Sequence, residues 1–438
     1  MRYIRTNEIS AEMDGKEVKI GGWLQESRNL GGISFGIIRD RYGTVQVTVR
    51  KKESPDLAKI IGEANRESVL IVTGRVSKSD KTPRGFEIIP NSIVIDSSAQ
   101  SPLPLGVVDR VSAELDTRLN NRFIDLRKEN VERIFEVKSE MLFATRSYLR
   151  SIGFIEVQTP KIAAVGAEGG ATLFKLDYFG KTAYLAQSPQ LYKQNLMGAG
   201  FDKVFEIAPA FRAEASDTVR HLAEFTSLDV EMSFIESSED VMDVAQGITF
   251  ESMKHLAEKC KPLLEKCGIE IELPKLPFRR ISYSEAIELA NSEGAKIRSG
   301  EDLGTEGEKA LGTAVKSNWN EELYFITDFP TELKKATFYA MRKDDNPELT
   351  TYFDLDFRGQ EIVSGGQREH RLDKLLAQMK ENNLDPERFG FYIEAFKYGM
   401  PPHGGFGYGV ERFVQKLLDL TNIREAILYP RDRLRLMP

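Results

Sequence analysis

The sequence predicts an α+β protein in two parts: a small Greek-key β-barrel of OB type, then a larger domain on a mostly antiparallel sheet flanked by helices. Three observations carry this expectation. Between residues 18 and 95 apolar and polar side chains alternate in five short runs. A Ser/Pro-rich passage, SSAQSPLPLGVVD, then interrupts all periodicity. Beyond it, strand-like runs gather around helical stretches without a regular βαβα alternation.

The five early runs are EVKIGGWL, FGIIRD, TVQVTV, VLIVTGRV and FEIIPNSIVI, with turn signals at Gly31-Gly32, Tyr42-Gly43 and Arg84-Gly85. One helical stretch lies between them at residues 55–65. Five strands and one helix fit an OB barrel, and on pattern alone they fit another small β domain equally well. The barrel is expected at residues 1–105, a linker at 106–130 and the larger domain at 131–438. That domain should open with a helix over residues 131–152 and a strand, FIEVQTP. Strands follow at TAYLAQ, KVFEIAPAF, FTSLDVEMSF, LYFITDFP, TFYAMR, TYFDLDFRG and QEIVSGG. Helices are expected at residues 239–261, 283–292, 371–381 and 409–420. Residues 236–343 carry no motif and read as a small helical insertion.

Composition narrows the class. The 438 residues carry 60 Lys and Arg against 67 Asp and Glu, a formal charge of −7, with 41% hydrophobic residues. These values suit a folded enzyme and exclude a disordered or collagen-like chain. Cys260 and Cys267 are too few for a disulfide framework or a four-ligand zinc site, and their spacing reads as core thiols on one helical face. The start, MRYIRTNEIS, has no apolar leader, and no apolar run could span a bilayer, so a cytoplasmic protein without a membrane partner is expected. The acidic total does not exclude a nucleic acid, because residues 1–105 hold 16 basic against 13 acidic side chains.

Two segments concentrate chemistry. FEIAPAFRAEASDTVRHLAEFTSLDVEM, residues 205–232, places Arg212, Glu214, Arg220, His221, Phe225, Asp229 and Glu231 on a strand, a loop and a returning strand. Such a hairpin can clamp a polyphosphate with guanidinium forks and stack a purine, although charge density alone suits a solvated hairpin better. PPHGGFGYGVERF has glycines at 404, 405, 407 and 409, read as a turn that opens a helix carrying Arg412. It is neither a Walker loop nor a dinucleotide fingerprint.

Taken in order, FIEVQTPKI (residues 154–162), FRAE followed by RHLAEF (211–225) and GFGYGVERF (405–413) resemble the three signature motifs of class II aminoacyl-tRNA synthetases. QSPQLYKQ (187–194), SGGQREH (364–370) and the amino-terminal barrel are similar to aspartyl enzymes of archaeal type. The resemblance implies an OB-fold barrel joined to a class II catalytic domain with an antiparallel sheet flanked by helices. It also implies ATP-dependent activation of L-aspartate and transfer to tRNA(Asp). In that family Arg212 binds the α-phosphate together with the substrate carboxylate, Glu214 the adenine side, and Arg220 and His221 the leaving pyrophosphate. Phe225 stacks under the adenine and Arg412 packs over it. Leu222, Gly409, Val410 and Glu411 complete the ATP set. Glu361 and Ser364 match Mg²⁺ ligands, with Asp354 in support. Arg212 and Arg412 are the catalytic pair, and no covalent nucleophile is needed.

For the amino acid, the resemblance assigns Lys193 and Arg368 to the aspartate side-chain carboxylate, so that asparagine would strand two cations. Ser364 is expected beside the aspartate, and Gln190 and Glu168 at its α-amino group. An asparaginyl enzyme is expected to lack the Lys193 and Arg368 pairing. In the barrel, Phe35 and Gln46 match readers of the central anticodon base, with Arg28, Pro83 and Glu87 nearby. Read without the family, Phe35 is a barrel core residue. Pro160 matches a dimer-interface proline, implying a homodimer. Pro83 favours a relaxed enzyme that also charges tRNA(Asn), while Gln25 matches neither the relaxed nor the strict pattern.

Overall fold

Five strands, β1 (Glu17–Leu30), β2 (Ile33–Asp40), β3 (Gly43–Arg50), β4 (Val69–Lys78) and β5 (Phe86–Ser97), close into a barrel in the order β1-β2-β3-β5-β4. The alternation seen in the sequence is the cause: Val18, Ile20 and Leu24 of β1 and Leu70, Val72 and Val76 of β4 point inward with Val47 and Ile88. The Pro55–Glu63 helix, with proline in its first turn, supplies Ala58 and Ile61 to the same core. The computed structural model describes residues 2–108, 113–166, 173–213 and 218–438. It divides into two units, Met1–Glu129 and Asn130–Pro438.

The first unit runs past the expected barrel boundary. Much of the passage expected as a linker folds with the barrel, carrying two short helices, Leu115–Asn120 and Arg122–Asp125. Arg127 donates to Glu67 at 3.0 Å and lies over the Trp23 ring. Arg39 grips the same carboxylate bidentately.

In the second unit the strands are β6 (Ile155–Glu156), β7 (Ile162–Ala163), β8 (Lys175–Tyr178), β9 (Lys181–Leu185), β10 (Lys203–Phe211) and β11 (Glu224–Ser233). They continue with β12 (Arg279–Ser282), β13 (Leu323–Thr327), β14 (Tyr352–Phe357), β15 (Glu361–Arg368) and β16 (His403–Gly409). Eight form one sheet in the order β12-β13-β14-β15-β16-β11-β10-β6, antiparallel except for the parallel pairs at its two ends. One face packs its apolar residues, among them Leu228, Val230, Phe353, Leu355 and Phe406, against the Glu129–Ser151 and Ser238–Lys259 helices. The second of these begins where expected because Ser237 and Asp240 form a capping box. Among the described residues no helix is long and apolar enough to cross a membrane.

Three expectations are corrected. Residues 236–343 are not a purely helical insertion: they hold β12 and β13, two strands of the main sheet, besides the Gly304–Trp319 helix that sequence periodicity missed. Most of the glycine-rich segment is the strand β16, hydrogen-bonded on both sides, and the helix after it starts at Val410. Cys260 caps one helix and Cys267 ends the next, so they do not share a helical face. Both are free thiols, and burial beside Glu140 pushes Cys260 up to about 11.

Candidate active site

The face of the sheet away from that core holds a cleft of about 280 Å³. Strand periodicity builds its floor. Along β11, Leu228, Val230 and Met232 join the core, so Ser227, Asp229 and Glu231 must face the other way, with Phe225 two residues before them. Antiparallel register extends these positions into rows. Asp354 of β14 pairs with Ser364 of β15, Ser364 with Gly407 of β16, and Gly407 with Asp229. The next row is Tyr352, Gly366, Gly405 and Glu231, and a third pairs Arg368 with His403. The row glycines keep this floor low. A Cβ on Gly405 would lie 2.0 Å from the Val230 carbonyl oxygen and 2.3 Å from Glu231 Oε2, so the missing side chain makes space for the glutamate. These glycines therefore admit a neighbouring strand and its carboxylate, not only a ligand.

At one end of the floor Arg368 is 1% exposed. Its Nε donates to Glu231 Oε1 at 3.0 Å, its Nη2 to Gln190 Oε1 at 3.3 Å, and its Nη1 to the Tyr352 hydroxyl. The guanidinium also lies over the Tyr339 and Tyr352 rings. Lys193, buried on the Gln190–Gly198 helix, donates to Asp229 Oδ1 at 3.1 Å and to the carbonyls of Val230 and Phe406, and lies 3.3 Å from Glu231 Oε2. Burial opposes ionisation of Glu231, but Arg368, Lys193 and His403 outweigh it and hold its carboxyl below the usual range. The expectation of two cations waiting for the ligand is thus corrected. Each already has a carboxylate, and Arg368 lines the cleft while Lys193 stands behind Asp229. Among the described residues Gln190 Nε2 is buried without an acceptor, so as oriented it offers the cleft a donor. That suits a carboxylate oxygen; an ammonium would need the amide turned over.

At the other end Phe225, Arg212, Arg220, His221, Leu222 and Arg412 line the cleft. The expected cation above Phe225 is already there, but it is Arg212, 5.3 Å from the ring centroid. Arg412 instead donates to Glu361, at 2.9 Å to Oε1 and 3.1 Å to its carbonyl, so the adenine sandwich is not preformed. Thr218 organises the returning loop, accepting from the Arg220 amide at 3.2 Å and sitting 2.6 Å from His221 Nδ1. Gly409 and Ser364 line the cleft, but Val410 is a core residue. Glu411 is committed to the framework: its carboxylate accepts from Lys138 at 2.6 Å and from the Thr226 amide at 3.0 Å.

The wall beside Arg412 is acidic. Burial works against Glu361, yet Arg412, Lys334, Arg212 and Arg220 keep it below its ordinary value. Burial, with the charge of Glu361 adding to it, pushes Asp354 up even though Lys334 bonds it at 2.9 Å. Buried carboxylates and the Ser364 hydroxyl, all hard oxygen donors, fit a Mg²⁺ ion, whose charge would offset their burial.

Glu168 and Glu214 lie outside the described residues. The other expected residues line the cleft, except that Lys193 stands behind Asp229 and Val410 lies in the core. Sequence reasoning did not single out Asp229 and Glu231 as anchors of the cations, nor Tyr352, Tyr339 or Glu308. The alternation S-x-D-x-E, with apolar Leu228 and Val230 between, was the available signal for the first two.

In the barrel, Phe35 is half-buried on β2, opposite Arg28 and Thr48, which corrects its reading as core. Gln46 Nε2 donates to Glu87 Oε2 at 3.0 Å, and Arg28 bonds Glu26 on the exposed side. Pro83 is exposed on the β4–β5 turn, which the Thr82 hydroxyl holds through Phe86 O at 2.8 Å. Gln25 falls in a register shift of β1.

Residues 18–96 match the OB-fold nucleic acid binding domain, and residues 114–433 match the family described as tRNA synthetases class II (D, K and N). The chain is 51% identical, over all of both chains, to an aspartate–tRNA(Asp) ligase of Pyrococcus abyssi. It is 48% identical to an aspartate–tRNA(Asp/Asn) ligase of Archaeoglobus fulgidus, over 99% of this chain and 100% of that one. Among solved structures, the asparaginyl-tRNA synthetase of Pyrococcus horikoshii with asparaginyl-adenylate superposes with a TM-score of 0.91, at 34% identity and full coverage of both chains. Backbone shape is therefore common to the aspartate and asparagine enzymes, and sequence separates them. With both domains matched in order, half of all residues shared along the whole length and the acid-pinned arginines on the sheet floor, the chain belongs to the class II tRNA synthetases, in the archaeal-type aspartate–tRNA ligase group.

Proposed function

We propose that the cleft activates L-aspartate with ATP and that the protein then esterifies tRNA(Asp) with it, in the cytoplasm. Arg368 carries the amino-acid assignment. Glu231 and Tyr352 fix its fork on the cleft floor, where it can receive the side-chain carboxylate in a charge-assisted, directional bond. Asparagine would not strand a bare cation, since Glu231 remains; it would lose the charge-assisted bond and set an amide donor against a guanidinium. Phe225 lies six residues from Glu231 on one strand face, about 20 Å away at the usual rise, which leaves room for adenine, phosphates and aspartate in line.

The aspartate α-carboxylate oxygen forms the new bond to the α-phosphorus while the bond to the β-phosphate oxygen breaks, and pyrophosphate leaves. Arg212 neutralises the α-phosphate, and Arg220 and His221 take up the leaving group. Glu361 and Ser364, backed by Asp354, would hold Mg²⁺, which supplies charge neutralisation on the polyphosphate. The terminal ribose 3′-hydroxyl then attacks the aspartyl carbonyl and AMP departs. Pyrophosphate exchange into ATP tests the first step. It should require aspartate, ignore asparagine and vanish in Arg368→Ala at unchanged ATP binding; exchange surviving in that variant would sink the assignment.

The barrel is proposed to read the anticodon through Phe35, Gln46, Arg28 and Glu87. Exposed Pro83 supports relaxed use of tRNA(Asn) as well as tRNA(Asp), and relatives of both names make strict use of tRNA(Asp) the alternative. Charging assays on the two transcripts decide, and an inert asparagine transcript rejects the relaxed reading. Exposed Phe143, Pro160 and Ile162, with Ile155 on the edge strand β6, support a homodimer, which light scattering should report as twice the 49.5 kDa chain mass.

A further inference from the structure

Three arginines facing the cleft are each held by an acid from another element: Arg368 by Glu231, Arg412 by Glu361, and Arg220 by Glu308. The first two pairs join residues of the signature motifs or their flanking strands. The third reaches into the segment without a motif. Glu308 lies on the Gly304–Trp319 helix, 88 residues from Arg220, and its Oε2 accepts from Arg220 Nη2. The two side chains are only 16% and 12% exposed, whereas Glu306 on the same helix is 87% exposed. The same Glu308 oxygen lies 3.3 Å from the Glu361 amide, on the first residue of β15. One carboxylate thus ties the returning loop, this helix and the strand carrying Glu361.

Arg220 lies in a turn outside helix and strand, and a long side chain there must be ordered before it can bind phosphate productively. A guanidinium has five donors in a fixed fork, so an acid on one edge leaves the other edges available for phosphate oxygens. We propose that Glu308 is the positioning residue for Arg220, orienting its guanidinium toward the β- and γ-phosphates before ATP arrives. This rests on the reading of Arg220 as the pyrophosphate-side arginine.

The test uses the full-length enzyme with two probes: the Mg²⁺ complex of the non-reactive α,β-methylene ATP, and an aspartyl-sulfamoyl adenosine, which lacks the β- and γ-phosphates. Glu308→Ala should weaken the ATP analogue by roughly ten- to a hundredfold and leave the adenylate analogue within about twofold. Glu308→Gln, which keeps an acceptor, should fall between and guards against a folding failure of the alanine variant. The Arg220→Ala, Glu308→Ala double variant should bind no more weakly than Arg220→Ala alone. Wild-type binding in both Glu308 variants overturns the proposal, as does equal weakening of both probes, which marks a structural prop, or an additive double variant. If Arg220→Ala itself binds the ATP analogue normally, the reading of Arg220 fails and takes the proposal with it. Weakened binding of the ATP analogue in Arg220→Ala together with wild-type binding in Glu308→Ala and Glu308→Gln sinks the proposal alone.

Discussion

At the scale of single residues the cleft depends on charges that are already paired. Arg368 makes its bonds through three different nitrogens, so a lysine of equal charge cannot replace it. Breaking one partner of a buried pair costs about 3–5 kcal/mol. We therefore expect Arg368→Lys to lower kcat/KM for aspartate by at least roughly a hundredfold with KM for ATP little changed, read by pyrophosphate exchange. Lys193→Ala should differ in kind. It strips the cation from between Asp229 and Glu231, so a lower Tm should accompany lost exchange; a normal Tm would contradict the buried network.

His403 supplies the pH dependence. It is fully buried, with Nδ1 2.8 Å from the Pro401 carbonyl, and burial pushes its pKa from the ordinary 6.5 down to about 4. Above pH 6.5 the ring is neutral whether the chain is folded or not. Between 6.5 and 4 the unfolded chain takes up a proton that the folded chain refuses, so stability falls as pH falls, by about 3 kcal/mol in total. Glu231, held below its usual value, adds loss in the same direction at the acid end. Urea unfolding of His403→Asn between pH 6.5 and 4.5 should show a flatter decline than the parent. An identical slope would mean that the ring titrates normally.

At the scale of elements, β16 shows how residue choice and sheet geometry combine. Its neighbours on both sides place Gly405 between Gly366 and Glu231, and a methyl there meets backbone oxygen at 2.0 Å. Gly407→Ala meets nothing nearer than Asp229 Oδ1 at 3.7 Å. Gly405→Ala should thus cost about 1–3 kcal/mol or more of stability. Gly407→Ala should fold normally and instead weaken ligand binding, because Gly407 lines the cleft. Calorimetry and an aspartate titration separate the two outcomes. The strand itself was hidden in the sequence, because glycine has low strand propensity and marks turns elsewhere. The Gly304–Trp319 helix was hidden for a related reason: its glycines at 304, 307 and 312 dilute the helical pattern. The Tyr283–Ser292 helix, with a capping box at Ser282 and Glu285, was legible to the residue.

At the scale of the whole molecule the charge is unevenly placed, with the excess of basic residues in the first 105 positions and an acidic remainder. RNA binding by a local basic surface releases counterions and weakens steeply with salt. Raising salt from about 50 to about 200 mM should raise KM for tRNA tenfold or more, while aspartate-dependent exchange in the buried cleft changes much less. Parallel salt curves for the two reactions would locate the polyanion's contacts elsewhere.

The two-part architecture, the order of the signature segments and the family were legible in the sequence, because alternation, capping and short motifs are local properties written along the chain. The sequence also named most cleft residues. Tertiary structure alone decided what those residues do for one another. Asp229, Glu231, Glu361 and Glu308 became the acids that pin the cleft's cations only when strands and helices tens of residues apart were set side by side. Pairing of that kind depends on register and distance, and a linear pattern records neither.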